Sequence, residues 1–291
     1  MRVNRNLCLL ALTMFIVGTD GFVVAGVLES VARQTGVSVE AAGQLITVFA
    51  LAYAISGPAI ASVLGRMDRK RFLLLSLAVF TGGNLVVALS SDYALLIAGR
   101  MVSAIGAAGV TPAVVTIAGM TAQPERRGRA ISLVFNGLTI ATILGVPFGT
   151  YLGRALDYRL LFLFIAVGGA MMLAVLAAAL TRLPPPPDAS FRERLSVVRV
   201  KGAPSTLLVT AVVFLSAFTV YSYVSAWFGD RGVADGDRLS WILLAFGAGG
   251  AAGNLLGGRL TDRYGPRTTN LVSLPGDRKS TRLNSSHVSI S

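Results

Sequence analysis

Eight apolar runs limit what this chain can fold into. They cover 7–27, 42–64, 72–90, 93–118, 130–153, 160–181, 204–228 and 239–257. Each is close to the roughly 20 residues that carry a helix across a bilayer. Hydrocarbon offers no partners to backbone N–H and C=O groups, so each run must satisfy its own, which selects helix. The expected fold class is all-α, a polytopic membrane helix bundle. The composition agrees: 14% of residues are charged and 54% hydrophobic, where soluble domains carry about 25% charged residues.

The net charge of +12 raises the question of nucleic acid. The basic residues recur in short loops between apolar runs and form no single patch, which argues against such a partner and for a lipid bilayer. With the amino terminus inside, the inner segments hold Arg2 and Arg5, Arg66 to Arg71, Arg126 to Arg129, the arginines of 182–203, and Arg259, Arg263 and Arg267. The outer segments hold only Arg33, Arg154, Arg159, Arg231 and Arg238. That imbalance predicts a cytoplasmic amino terminus. Arg2 and Arg5 ahead of an apolar stretch imitate a secretion signal, but no small-residue cleavage site follows, so the first run is expected to stay as a span. Cys8 is the sole cysteine, which excludes an internal disulfide.

One loop occurs twice. Gly258–Arg267 reads Gly-Arg-Leu-Thr-Asp-Arg-Tyr-Gly-Pro-Arg, and Ala61–Lys70 is its weaker echo after another apolar run. Repetition of one basic loop points to a duplicated membrane protein. The loop resembles the signature Gly-x-Leu-Ala-Asp-Arg-x-Gly-Arg-Arg/Lys of the major facilitator superfamily. Gly258, Leu260, Asp262, Arg263, Gly265 and Arg267 match it. In the first copy Arg66, Arg69 and Lys70 remain compatible, whereas Gly65 stands where the motif has its acid. The resemblance implies a major facilitator fold, with a six-span amino-terminal bundle at 1–181, a cytoplasmic linker at 182–203 carrying Pro184–Pro187, and a partial second bundle at 204–270. It also implies that these loop residues gate the cytoplasmic side, although by themselves the basic residues read as positive-inside anchors. The segment 271–291 is polar and serine-rich, and resembles translated cloning sequence. It is expected to stand outside the fold, with His287 idle and the family's spans 9–12 missing.

Two ionisable residues lie inside apolar runs. Asp20 sits in Gly18-Thr19-Asp20-Gly21-Phe22 and Arg100 in Gly99-Arg100-Met101-Val102-Ser103. Such groups are costly in a membrane and mark function by default. Counted along the runs, both fall about 10 Å below the outer face, so neighbouring spans would let them pair, either as a proton-coupled switch or as a static tie. Arg100, Gly106, Ala107 and Ala108 resemble the family's fourth-span signature, whose arginine is associated with proton transfer. Gly18-Thr19-Asp20 and Phe22 resemble the opening of its proton-driven exporters, with Gly21 where many relatives carry Glu.

The fifth run repeats a small residue at every fourth position: Gly137, Ala141, Gly145, Gly149 and Gly153. That makes one smooth face for close helix approach, and Pro147 adds an expected bend. The stretch Gly145-Val146-Pro147-Phe148-Gly149 is similar to the family's antiporter signature, with the proline one position late. Asn136, Thr139 and Asn254 are candidates either for substrate hydrogen bonds or for bridges between helices. Phe218 and Tyr221 fall on one face of the seventh run and offer an aromatic wall or simple packing.

No nucleophile–histidine pair, metal cluster or phosphate loop occurs. No enzyme, metal or cofactor is therefore expected. The resemblance implies a multi-pass transporter of the bacterial inner membrane, monomeric when full length. It would exchange protons for a small drug-like or sugar-like molecule by alternating access. Proton-coupled uptake, and a non-transporting fragment or scaffold, remain open.

Overall fold

The structure is a computed structural model that describes residues 5–24, 27–63, 67–155 and 157–181, with isolated positions from 183 to 263. Its order is α1 (Arg5–Val23), α2 (Leu28–Thr35), α3 (Val39–Val63), α4 (Arg69–Leu89), α5 (Tyr93–Thr121), a 3-10 turn (Pro124–Arg126), α6 (Arg127–Ala155) and α7 (Tyr158–Ala179). Five of these are long and apolar enough to cross a membrane: α1, α3 over Val39–Ile60, α4, α5 and α7. The long helix α6 packs along α1 in the same bundle.

Aspartates start three of the helices. Asp68, Asp92 and Asp157 each accept a hydrogen bond from a first-turn backbone N–H, those of Arg71, Leu95 and Arg159, opening α4, α5 and α7. These side chains satisfy donors that every helix start leaves free. Asp68 thus has a structural task in the loop whose motif acid is missing. Inside the spans, hydroxyls turn back on their own helix: Thr13 donates to the Leu9 carbonyl at 2.9 Å and Thr19 to that of Phe15 at 2.7 Å.

The first span differs from expectation. It closes at Val23, and the Val27 N–H donates to the Val24 carbonyl at 3.0 Å. The short amphipathic α2 then packs Val31 and Ala32 inward and leaves Arg33 and Gln34 exposed. It ends at Gly36 with φ of 71°, the left-handed conformation that glycine adopts freely. Expected spans seven and eight fall largely outside the described residues, although 203–205 and 207–212 are helical.

α5 is the hub, packed against α4 and α3 and touching α6 and α1, while α4 also packs on α7 and α1 lies along α6. Glycines set the closest crossings. A Cβ at Gly106 of α5 would lie 2.6 Å from Phe80 Cα and 2.7 Å from the Ser76 carbonyl oxygen of α4. Between α1 and α6, a Cβ at Gly18 would lie 2.9 Å from the Ala141 methyl, and one at Gly137 would strike the Ala11 carbonyl. Small residues at such contacts let helix backbones approach where no hydrophobic effect drives them together.

One buried tie joins the ends of α4 and α7: Tyr158, fully buried, donates from its hydroxyl to the Ser90 carbonyl at 2.8 Å. Tyr158→Phe keeps the ring and strands the acceptor. It should cost about 1–3 kcal/mol, read as a lowered melting temperature in detergent. An unchanged melting temperature would show that the bond contributes nothing.

Candidate functional site

Three helices bring the charged residues together. Asp20 is fully buried in α1 near its end, and Arg100 is buried at 1% exposure in α5. Arg100 Nη1 donates to Asp20 Oδ1 at 2.6 Å. α1 ends three positions after Asp20, whereas Arg100 stands seven positions after the start of α5, so the two lie at unequal distances from their helix ends. From α4, the Asn84 amide faces the same carboxylate, while its Nδ2 donates to the Phe80 carbonyl at 3.0 Å. Asn84 is itself fully buried.

The site is incompletely satisfied. Asp20 Oδ2, Asn84 Oδ1 and Arg100 Nε are buried without a hydrogen-bond partner among the described residues. Buried polar atoms are nearly always paired, so such a group is a mark of function or of strain. Aromatic faces flank the cation. The Arg100 guanidinium lies 4.1 Å from the Phe49 ring centroid of α3 and 5.6 Å from that of Phe162 of α7. A guanidinium within about 6 Å of a ring is drawn to its negative face.

The sequence singled out Asp20 and Arg100 but passed over Asn84, Phe49 and Phe162. Asn84 carried a signal, being a lone amide inside an apolar run. Phe49 and Phe162 carried none, since a phenylalanine in a span reads as packing.

The remaining candidates lie elsewhere. Thr139 turns its hydroxyl to the Phe135 carbonyl of its own helix at 3.2 Å, and Asn136 lies one residue before Gly137 on α6. Gly137 and Ala141 form the α1 contact, whereas Gly145, Pro147, Gly149 and Gly153 are in helical backbone whose side-chain surroundings lie outside the described residues. Lys70 Nζ donates to the Ala177 carbonyl at 2.6 Å, and Arg69 N–H to the Leu183 carbonyl at 3.4 Å. Lys70 therefore caps the end of α7, where the helix dipole favours a cation. Arg263 is helical. Arg66, Phe218, Tyr221, Asn254, Gly258, Asp262, Gly265 and Arg267 lie outside the described residues.

A bundle of apolar membrane-length helices around a buried acid–arginine pair is the architecture of a polytopic membrane protein. Residues 10–276 match the Major Facilitator Superfamily, and the chain belongs to that family. It is 32% identical over 258 residues to the uncharacterized MFS-type transporter YbcL of Bacillus subtilis, covering 88% of this chain and 66% of YbcL. It is 30% identical to the inner membrane transport protein YdhP of Escherichia coli, covering 90% of this chain and 68% of YdhP. A chloramphenicol resistance protein of Streptomyces lividans is 30% identical, covering 88% and 67%. The chain thus spans about two thirds of the length of these relatives. Among solved structures, the inward-facing bacterial homolog of the human lysosomal transporter Spinster superimposes with a TM-score of 0.65 at 22% identity, over 90% of this chain and 63% of that one. The shared fold is that of the major facilitators. The apolar helices and the bacterial relatives make the chain a multi-pass inner-membrane protein.

Proposed function

We propose that the chain is part of a proton-coupled secondary transporter that exports a small molecule by alternating access. The observation that carries this is the buried 2.6 Å contact between Asp20 and Arg100. Ionised, Asp20 holds Arg100 and ties α1 to α5. Protonation removes its charge, Oδ1 becomes a weaker acceptor and the tie between the helices loosens. A ligand or proton that favours one arrangement of the helices then shifts the population between them. The amino terminus is cytoplasmic in this reading, the whole protein acts as a monomer, and the amino bundle rocks against the second one about a site near the membrane midplane.

Asn136, Thr139, Phe218, Tyr221 and Asn254 are the side chains proposed for the substrate cavity. Gly145, Pro147, Gly149 and Gly153 continue the packing face of α6, and the loop residues from Arg66 to Lys70 and from Gly258 to Arg267 close the cytoplasmic side. Export rather than uptake is favoured by the likeness to the Streptomyces chloramphenicol resistance protein, which makes chloramphenicol the first compound of a test panel.

The test is accumulation in intact cells. Cells making the complete protein should hold less of at least one panel compound, and a protonophore should abolish the difference. Asp20→Asn should lose export although the protein still reaches the membrane. Full protonophore-sensitive export by Asp20→Asn would refute the role of the pair, and raised accumulation would reverse the direction.

A further inference from the structure

We propose that Phe49 and Phe162 form an aromatic clamp that keeps the Arg100 cation in place when Asp20 carries no charge. This rests on the reading of Asp20 as the group that takes up a proton. Arg100 is nearly inaccessible, its only side-chain carboxylate partner among the described residues is Asp20, and its Nε has no hydrogen-bond partner there. Once Asp20 is neutral, a guanidinium that is never deprotonated stays in a medium of low dielectric without its counter-charge. Such a cation either leaves for water or needs another partner.

The two rings supply that partner from two further helices. Phe49 belongs to α3 and Phe162 to α7, at 4.1 and 5.6 Å from the guanidinium carbon. Each ring is braced by a second aromatic. Tyr53 stacks on Phe49 with centroids 6.3 Å apart, and Tyr158 meets Phe162 edge-on at 6.5 Å. Tyr158 is in turn fixed by its bond to Ser90. The clamp therefore spans α3, α5 and α7, while the carboxylate belongs to α1. Protonation can then free α1 from α5 without expelling Arg100, and the arginine stays ready for the returning carboxylate.

A double-mutant cycle on the complete protein in detergent tests this without any substrate. Asp20→Asn imitates the neutral acid, and Phe49→Leu removes the ring face while keeping an apolar side chain. In the Asp20→Asn background, Phe49→Leu should lower the folded-to-unfolded ratio about tenfold more than it does in the wild type, because the ring contact strengthens as other partners are lost. Phe49→Tyr should restore most of that loss. Equal losses in both backgrounds would overturn the clamp and leave Phe49 as packing.

If Asp20→Asn with Phe49→Leu does not fold, adding Arg100→Met decides the matter. Recovery of folding on removal of the cation supports the clamp, and continued failure refutes it. The cycle reads stability alone. Its failure is therefore distinct from failure of proton coupling, which only the transport assays detect.

Discussion

Arg100→Ala is expected to destabilise the bundle by about 3–5 kcal/mol, because it leaves the Asp20 carboxylate buried without its counter-charge. Asp20 has no exposed surface through which water could compensate. The loss should appear as a large fall in melting temperature and in yield of dispersed protein. The companion Asp20→Asn, Arg100→Met removes both charges and keeps much of the volume. It should recover most of the stability, since exchanging a buried pair for neutral groups is often neutral or better. Recovery of folding without recovery of coupled transport would separate the two roles of the pair. If Arg100→Ala is as stable as the wild type, the contact is not a tie between α1 and α5.

Gly106→Val should be strongly damaging although it touches neither charge. The first atom added would meet Phe80 backbone and the Ser76 carbonyl oxygen, neither of which can rotate away. Helices α4 and α5 must then separate. Overpacking of this kind costs about 1–3 kcal/mol and sometimes more, and here it moves the helix that bears Arg100 six positions earlier. The matched control is Gly82→Ala, where a Cβ meets nothing within 4 Å and helix propensity improves. Melting curves should show a clear loss for the first and none for the second. Similar curves would mean that the α4–α5 crossing tolerates wider spacing.

Glycines 82 and 83 show what a sequence does and does not disclose. They are adjacent and look alike, yet one faces open space and the other lies against Ser103 and the Gly99 carbonyl. The periodic stripe on α6 was readable because Gly137 and Ala141 repeat at helical spacing. The set on α5, Gly99, Gly106 and Gly109, repeats less evenly, and its importance comes from the partner helix. The five membrane-length apolar helices were legible because lipid imposes a length and a polarity on every crossing segment. The break after Val23 was not, since residues 24–27 continue the apolar run without proline or charge.

The site divides in the same way. Asp20 and Arg100 were visible because charge inside an apolar run is rare and expensive. Their contact was reachable only as a conditional, depending on which spans are neighbours. Phe49 and Phe162 became informative once three-dimensional placement put their faces against the guanidinium. Lys70 shows the reverse case: a basic loop residue that reads as an anchor or a gate also caps the carboxyl end of α7.

The most direct test of the account is proton movement in proteoliposomes holding the complete protein, driven by a compound that the accumulation panel identifies. The wild type should move protons when a gradient of that compound is imposed. Asp20→Asn, Arg100→Met should fold, enter the membrane and move none. Proton movement in that double mutant at the wild-type rate would contradict the claim that this buried acid and arginine couple the transporter to the proton gradient.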